Sequence, residues 1–220
     1  MLASYPAIYR DRFGEEATTI QNDGRTLRMQ VRGVTFIGSD FDAFEPVPAT
    51  DSSHLSTFTL DNGSLCACEI VCDMPLPIVV EQEVIVGALH VQLTLGRPRP
   101  APRGGIDEER LILQFSFDNQ TFTSRGISGW FEDELLDIQR ELPVNTSLKA
   151  CILCAFSDYS PAGHGLFGGL ACFRDHKAEY RAVNGKRALF QLWPKLTEYV
   201  QETDLCNEFE QRIPGSGYRG

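Results

Sequence analysis

The chain has no run of apolar residues long enough to cross a bilayer. Its two longest stretches without Lys, Arg, Asp or Glu, Val84–Gly96 and Tyr159–Phe173, fall short of a spanning helix, and Pro161 and several glycines break the second. The opening Met1-Leu2-Ala3-Ser4-Tyr5-Pro6 has neither a basic region nor an apolar core. No secretory signal is read there, and a cytoplasmic location is expected. Basic residues are scarce: 20 Lys and Arg against 30 Asp and Glu leave a net charge of −10. Such a surface repels nucleic acid and anionic membrane, whose phosphates are bound through Lys and Arg. It suits a basic protein partner, and solubility alone accounts for it as well. The four histidines are scattered, and neither His-Glu-x-x-His nor Gly-x-Ser-x-Gly occurs. There is no internal repeat.

What is present builds a core. Apolar residues make up 42% and charged residues 23%, enough for one large domain or two small ones. Thr26–Val31 alternates apolar and polar residues, as do the segments carrying Leu89, Val91, Leu93 and Leu95, and Leu111, Leu113, Phe115 and Phe117. Asp61-Asn62-Gly63 between Thr57–Leu60 and Ser64–Val71 signals a hairpin, because Asn-Gly accepts positive φ. Gly96–Gly105, rich in Pro, Gly and Arg, reads as an exposed loop. The period changes near residue 128. Ser128 is placed to cap a helix with the stripe Phe131, Leu135, Ile138 and Leu142, ended by Pro143. A strand is expected over Leu148–Phe156, then a glycine-rich loop over Asp158–Gly169. Helical stretches follow over Arg174–Val183 and Lys186–Gln201, the second kinked at Pro194. The expected fold is α+β: an N-terminal antiparallel β-sandwich or barrel-like domain over 1–127, then a helical cysteine-containing region over 128–220. The two could equally form one continuous domain.

The cysteines fall into two groups. Cys66, Cys68 and Cys72 share a strand face with Ile70 and read as small core hydrophobes. Cys151, Cys154, Cys172 and Cys206 follow C-x2-C-x17-C-x33-C. A C-x2-C turn aims two sulfurs at one centre, and two later thiols can complete a closed, non-catalytic zinc site. His176, four residues past Cys172, offers an alternative fourth ligand. The same cysteines also fit plain core filling. A thiol redox sensor is a third reading, although its reactive cysteine needs a helix N-terminus to lower its pKa.

Gly163–Gly168 spells G-x-G-x-x-G, yet no strand leads directly into it and no helix follows it at once, so a dinucleotide site is not expected. A loop threading close to another part of the chain explains the glycines more simply. His164 with Asp158 in this loop is the one place where a hydrolase site would fit.

Four phrases carry a resemblance: SGWFEDELLDIQ at Ser128–Gln139, CILCAFSDYSPAGHGLFGGLACFR at Cys151–Arg174, VQETDLCNEFEQR at Val200–Arg212, and IPGSGYRG at Ile213–Gly220. They resemble an uncharacterised family of bacterial proteins of unknown function, specifically over residues 108–220 and weakly before. The resemblance implies cysteines at positions 151, 154, 172 and 206, and so favours Cys206 over His176 in a structural zinc site. Pro194 departs from its pattern. It implies no activity. In character, small acidic proteins of this kind are similar to the immunity proteins of toxin–immunity pairs. The expectation is a non-catalytic binding protein for a basic partner such as a cognate toxin, with Glu132, Asp133 and Glu134 as candidate contacts.

Overall fold

The structure, a computed structural model, describes residues 3–48, 50–100, 102–213 and 218. Most of the phrase Ile213–Gly220, like Ala101 in the Gly96–Gly105 loop, lies outside them.

The chain starts with β1 (Ala3–Asp11), β2 (Gly14–Asn22), β3 (Leu27–Val31), β4 (Val34–Gly38) and a short β5 (Glu45–Pro46). A single turn of helix, α1 (Ser52–Leu55), leads to the hairpin β6 (Thr59–Asp61) and β7 (Ser64–Cys66). Two long strands, β8 (Cys68–Val80) and β9 (Glu83–Leu95), are followed by β10 (Glu109–Phe117) and β11 (Gln120–Thr123). They form one antiparallel sheet in the order β11-β10-β9-β8-β1-β2-β3-β4-β5. Four of the turns are two-residue hairpins with positive φ at both positions: Arg32-Gly33, Asn62-Gly63, Glu81-Gln82 and Asp118-Asn119. That conformation matches the twist of the strands it joins, which is why residues that seldom adopt it, such as Glu81 and Gln82, are held there by a long ladder.

One face of this sheet is the core. Tyr9, Met29, Phe36, Ile70, Leu76, Leu93, Leu113 and Phe115 are all buried on it. The helix α2 (Phe131–Glu141) lays Phe131, Leu135 and Ile138 against it, as the 4-3 spacing requires. The same cluster includes Leu148, Cys151, Leu170 and Val200, so one core draws on residues from both sides of position 128.

The α+β expectation is overturned: the protein is mostly antiparallel β-sheet, and among the described residues no helical cysteine-rich region follows it. After β12 (Thr146–Leu148), which extends the sheet alongside β8, Cys151–Leu153 forms a 3-10 turn where a strand was expected to run to Phe156. The chain cannot continue extended there because the C-terminal segment takes its backbone groups, as described below. Strands β13 (Ser157–Tyr159), β14 (Leu170–Cys172) and β15 (Glu198–Val200) make a small second sheet. Between the last two lie only the short helices α3 (Lys177–Arg181) and α4 (Lys186–Leu192). Pro194 sits in the 3-10 turn Trp193–Lys195 that ends α4, so the expected helix to Gln201 stops there and the chain returns as β15. Phe156, Phe173, Tyr180, Leu189 and Leu192 fill a smaller core beneath.

Two local expectations also change. The N-cap of α2 is Trp130; Ser128 Oγ instead accepts the Trp130 N–H at 3.1 Å. Cys66 leaves the strand of Cys68 and Cys72, because Ala67 at φ +52 bends the chain between β7 and β8.

Candidate metal centre

The C-x2-C turn is held from two sides. The Cys154 N–H donates to Cys151 O at 3.1 Å, closing the 3-10 turn, and Ser157 Oγ donates to Cys151 O and Cys154 O at 2.5 and 3.2 Å. The final segment then laces along it. Cys151 N–H donates to Asp204 O at 2.7 Å, Ala155 N–H to Glu210 O at 2.7 Å, and Arg212 N–H to Leu153 O at 2.9 Å. The Arg212 guanidinium adds bonds to Cys154 O and Ser157 O. These bonds lay residues 204–212 over the turn and carry Cys206 to its mouth. Cys172 arrives separately, at the end of β14, where its carbonyl accepts the Thr197 N–H at 2.7 Å.

Cys151, Cys154, Cys172 and Cys206 thereby line a single cavity of 330 Å³, together with Ser157, Arg174, Glu198, Asp204 and Glu208. All four are free thiols, and the first three are buried. Burial raises the Cys151 thiol pKa far above its usual value, and the charge of Asp204 and the other three cysteines push the same way. Burial also raises Cys172, against the pull of a backbone hydrogen bond and the Arg174 charge. The Cys172 and Cys151 thiols thus feel Cys154 and Cys206 across the cavity. The inner wall is a buried polar set in which the Asn22 and Gln201 amides exchange two bonds of 2.6 Å and Asn22 donates to Tyr5 OH at 3.1 Å. It ties β1 and β2 to the segment leading into Cys206.

Among the described residues, no three His, Cys, Asp or Glu side chains stand close enough together to chelate a metal as placed. The donor set nevertheless suits a soft or borderline cation: four thiols from three separate stretches face one space, with a guanidinium nearby to offset their charge. His176 is not part of this lining. Its Nδ1 pairs with Glu179 at 2.7 Å.

The glycine-rich loop is built differently. Asp158 is buried and accepts from Tyr180 OH at 2.8 Å and the Tyr159 N–H at 2.9 Å. His164 stacks on Tyr159 with ring centroids 3.9 Å apart, packs against Trp130, and bonds Gly165 O through Nδ1 at 2.8 Å. Buried Glu202, which sequence patterns did not single out, accepts the Gly168 N–H at 2.7 Å and the Tyr159 hydroxyl at 2.9 Å. Gly165 is closely approached: a Cβ there would lie 1.9 Å from Asp40 Oδ2, so the Asp40 side chain would have to move. Gly165 and Gly168 thus face the turn after β4, Gly165 in close packing.

That turn holds two acidic side chains. Among the described residues, neither Asp40 Oδ1 nor Asp42 Oδ1, both buried, has a hydrogen-bond partner. Burial, with the neighbouring Asp42 carboxyl adding to it, pushes the Asp40 pKa from 3.8 up to about 7. A folded pKa above the unfolded one stabilises the fold when the group is protonated. The contribution is complete below pH 3.8 and is lost as pH rises through 7. Asp40→Asn removes this penalty permanently. Its melting temperature is expected to exceed that of the unmodified protein at pH 8, with the difference shrinking as pH falls and closing near pH 3. Equal shifts at both pH values in thermal melts would contradict the assignment.

The fold and cavity together define an antiparallel β protein with a four-thiol cavity formed where its C-terminal segment folds back. A family model matches residues 3–157, more than half of the chain, and the chain belongs to that family, a family of unknown function (DUF6304). The match takes in the large sheet, α2, Cys151 and Cys154, and ends before Cys172 and Cys206. No curated protein and no solved structure matches the chain.

Proposed function

We propose that this is a non-catalytic binding protein whose C-terminal segment is pinned by a structural zinc ion on Cys151, Cys154, Cys172 and Cys206. The observation that carries the reading is the shared cavity: these four of the seven cysteines line it, brought together from three stretches of chain. Bound there, zinc would supply a crosslink and no chemistry, because four thiolates leave no open position. The alternative of a thiol sensor is less well supported, since such a cysteine is accessible and of low pKa, whereas Cys151 is buried and shifted upward. The partner in this reading is a basic protein, matched to a net charge of −10 and of the kind an immunity protein neutralises.

Zinc per chain, measured on protein purified without a metal-affinity tag, tests the site. One equivalent in the native protein and none in Cys151→Ser is expected. Metal-free native protein with the same melting curve as the variant would reduce the four cysteines to core filling.

A further inference from the structure

The long hairpin β8–β9 outruns its neighbours. β10 pairs with Ala88–Leu95 of β9, through Ser116 to Glu109, so among the described residues Glu83–Gly87 has a strand on one side alone. Its backbone polarity follows from the other flank. The Lys149 N–H donates to Pro77 O at 2.9 Å, so Pro77 directs its backbone toward β12 and away from β9. Opposed residues in an antiparallel ladder alternate between bonded and non-bonded pairs. Val86 opposite Pro77 and Val84 opposite Val79 are therefore the non-bonded pairs. The N–H and C=O groups of Val84 and Val86 point to the open edge, where a continued β10 would lie. Their side chains are 46% and 64% exposed. Beside this edge runs a groove of 590 Å³ lined by Val80, Ile85 and Phe117 with Glu81, Glu83 and Asp118. Its ionisable lining is wholly acidic.

From this geometry we infer that the β9 edge at Val84–Val86 receives an extended segment of a basic protein, which adds as a strand and lays a Lys or Arg side chain along the groove. Main-chain bonds to Val84 and Val86 supply the affinity, and the groove selects the side chain. Val80, Ile85 and Phe117 cover the aliphatic stem while the three carboxylates meet the charge. A second copy is the poorer occupant: joining two such edges would bring two sets of Glu81, Glu83 and Asp118 together, the arrangement by which edges resist self-pairing. The inference rests on the binding reading above and names the face that does the binding.

The test uses the full-length protein and two peptide probes, one alternating lysine with valine and one alternating glutamate with valine. Amide exchange by NMR is expected to slow at Val84 and Val86 with the lysine peptide only. Val86→Pro removes an outward donor that no internal bond uses, so the hairpin is retained while affinity falls by about tenfold or more. Glu83→Lys, on the rim, is expected to weaken binding about as much with an unchanged melting temperature. Zinc content, read on the same samples, is expected to be unaffected by either variant, which separates this test from that of the metal site. Equal binding of both peptides, protection elsewhere, or no protection at millimolar lysine peptide would overturn the inference. A concentration-dependent dimer abolished by Val86→Pro would overturn it in favour of self-pairing.

Discussion

Replacing Glu134 by alanine is expected to destabilise the protein by about 3–5 kcal/mol, although its sequence neighbourhood reads as an exposed acidic helix start. The side chain is fully buried. Its carboxylate accepts the backbone N–H groups of Gly126, Ile127 and Ser128 at 2.7, 3.1 and 2.9 Å, and the Ser128 hydroxyl at 2.7 Å. Alanine leaves three backbone donors and a hydroxyl without this acceptor at once. Each such group costs roughly 1–3 kcal/mol when buried, and water entering the new space recovers part of the total. Glutamine keeps two atoms in place but turns one acceptor into a donor facing donors, so Glu134→Gln is expected to fall between. Burial works to raise the Glu134 pKa, and the bonds from Ser128, Ser124 and Gly126 outweigh it and leave it below the ordinary glutamate value of 4.5. The sign is then opposite to that of Asp40: this contribution is present above pH 4.5 and lost as pH falls through the lowered value. Urea melts at pH 7 and pH 3 check both points, with the gap between native and alanine proteins closing at the lower pH. Exposed Asp133→Ala is expected to change stability by less than about 0.5 kcal/mol. A Glu134→Ala effect equally small would return Glu134 to the pool of candidate partner contacts.

Glu134 illustrates which features the sequence could convey. The stripe Phe131, Leu135, Ile138 is periodic and was legible; that Glu134 turns back onto 126–128 depends on the fold of a loop with Gly126 and Gly129 at positive φ. The alternation of Leu89–Leu95 and Leu111–Phe117 gave the strands directly, and Asn62-Gly63 gave its hairpin. Glu81-Gln82 gave no signal, because neither residue favours positive φ and the turn is imposed by the pairing of β8 with β9. Of the two helices expected after Arg174, the second stops at Pro194, and at Glu198–Val200 pairing with β14 overrides local helical preference. Spacing groups Cys151, Cys154 and Cys172 with either Cys206 or His176, and the family resemblance favours Cys206. What places them, the lacing of 204–212 onto 151–155 and the Asn22–Gln201 amide pair, joins residues 53 to 179 positions apart, and no local pattern encodes such contacts.

Replacing Cys206 by serine is expected to lower the melting temperature by about 10 °C or more and to loosen one end of the molecule selectively. Cys206 is the thiol contributed by the segment that depends most on the cavity. Residues 204–212 touch the rest of the protein through backbone bonds to 151–155, the Arg212 guanidinium, Phe209 packed against the smaller core, and the ion pairs Lys177–Glu208, Lys177–Glu210 and Arg181–Glu210. Those ion pairs are solvent-exposed and screened, too weak to order nine residues whose backbone alone costs about 1–2 kcal/mol apiece. A crosslink at Cys206 would offset the remainder. Without it, the amides of Cys151, Ala155 and Arg212 are expected to exchange together, while those within β8 and β9 keep their protection. Adding a strong zinc chelator to the native protein is expected to produce the same local pattern. Hydrogen exchange resolved by residue distinguishes the outcomes. Uniform loss of protection would mean that the segment and the large sheet unfold as one unit, and no loss would mean that the lacing bonds and the smaller core hold the C-terminal segment unaided.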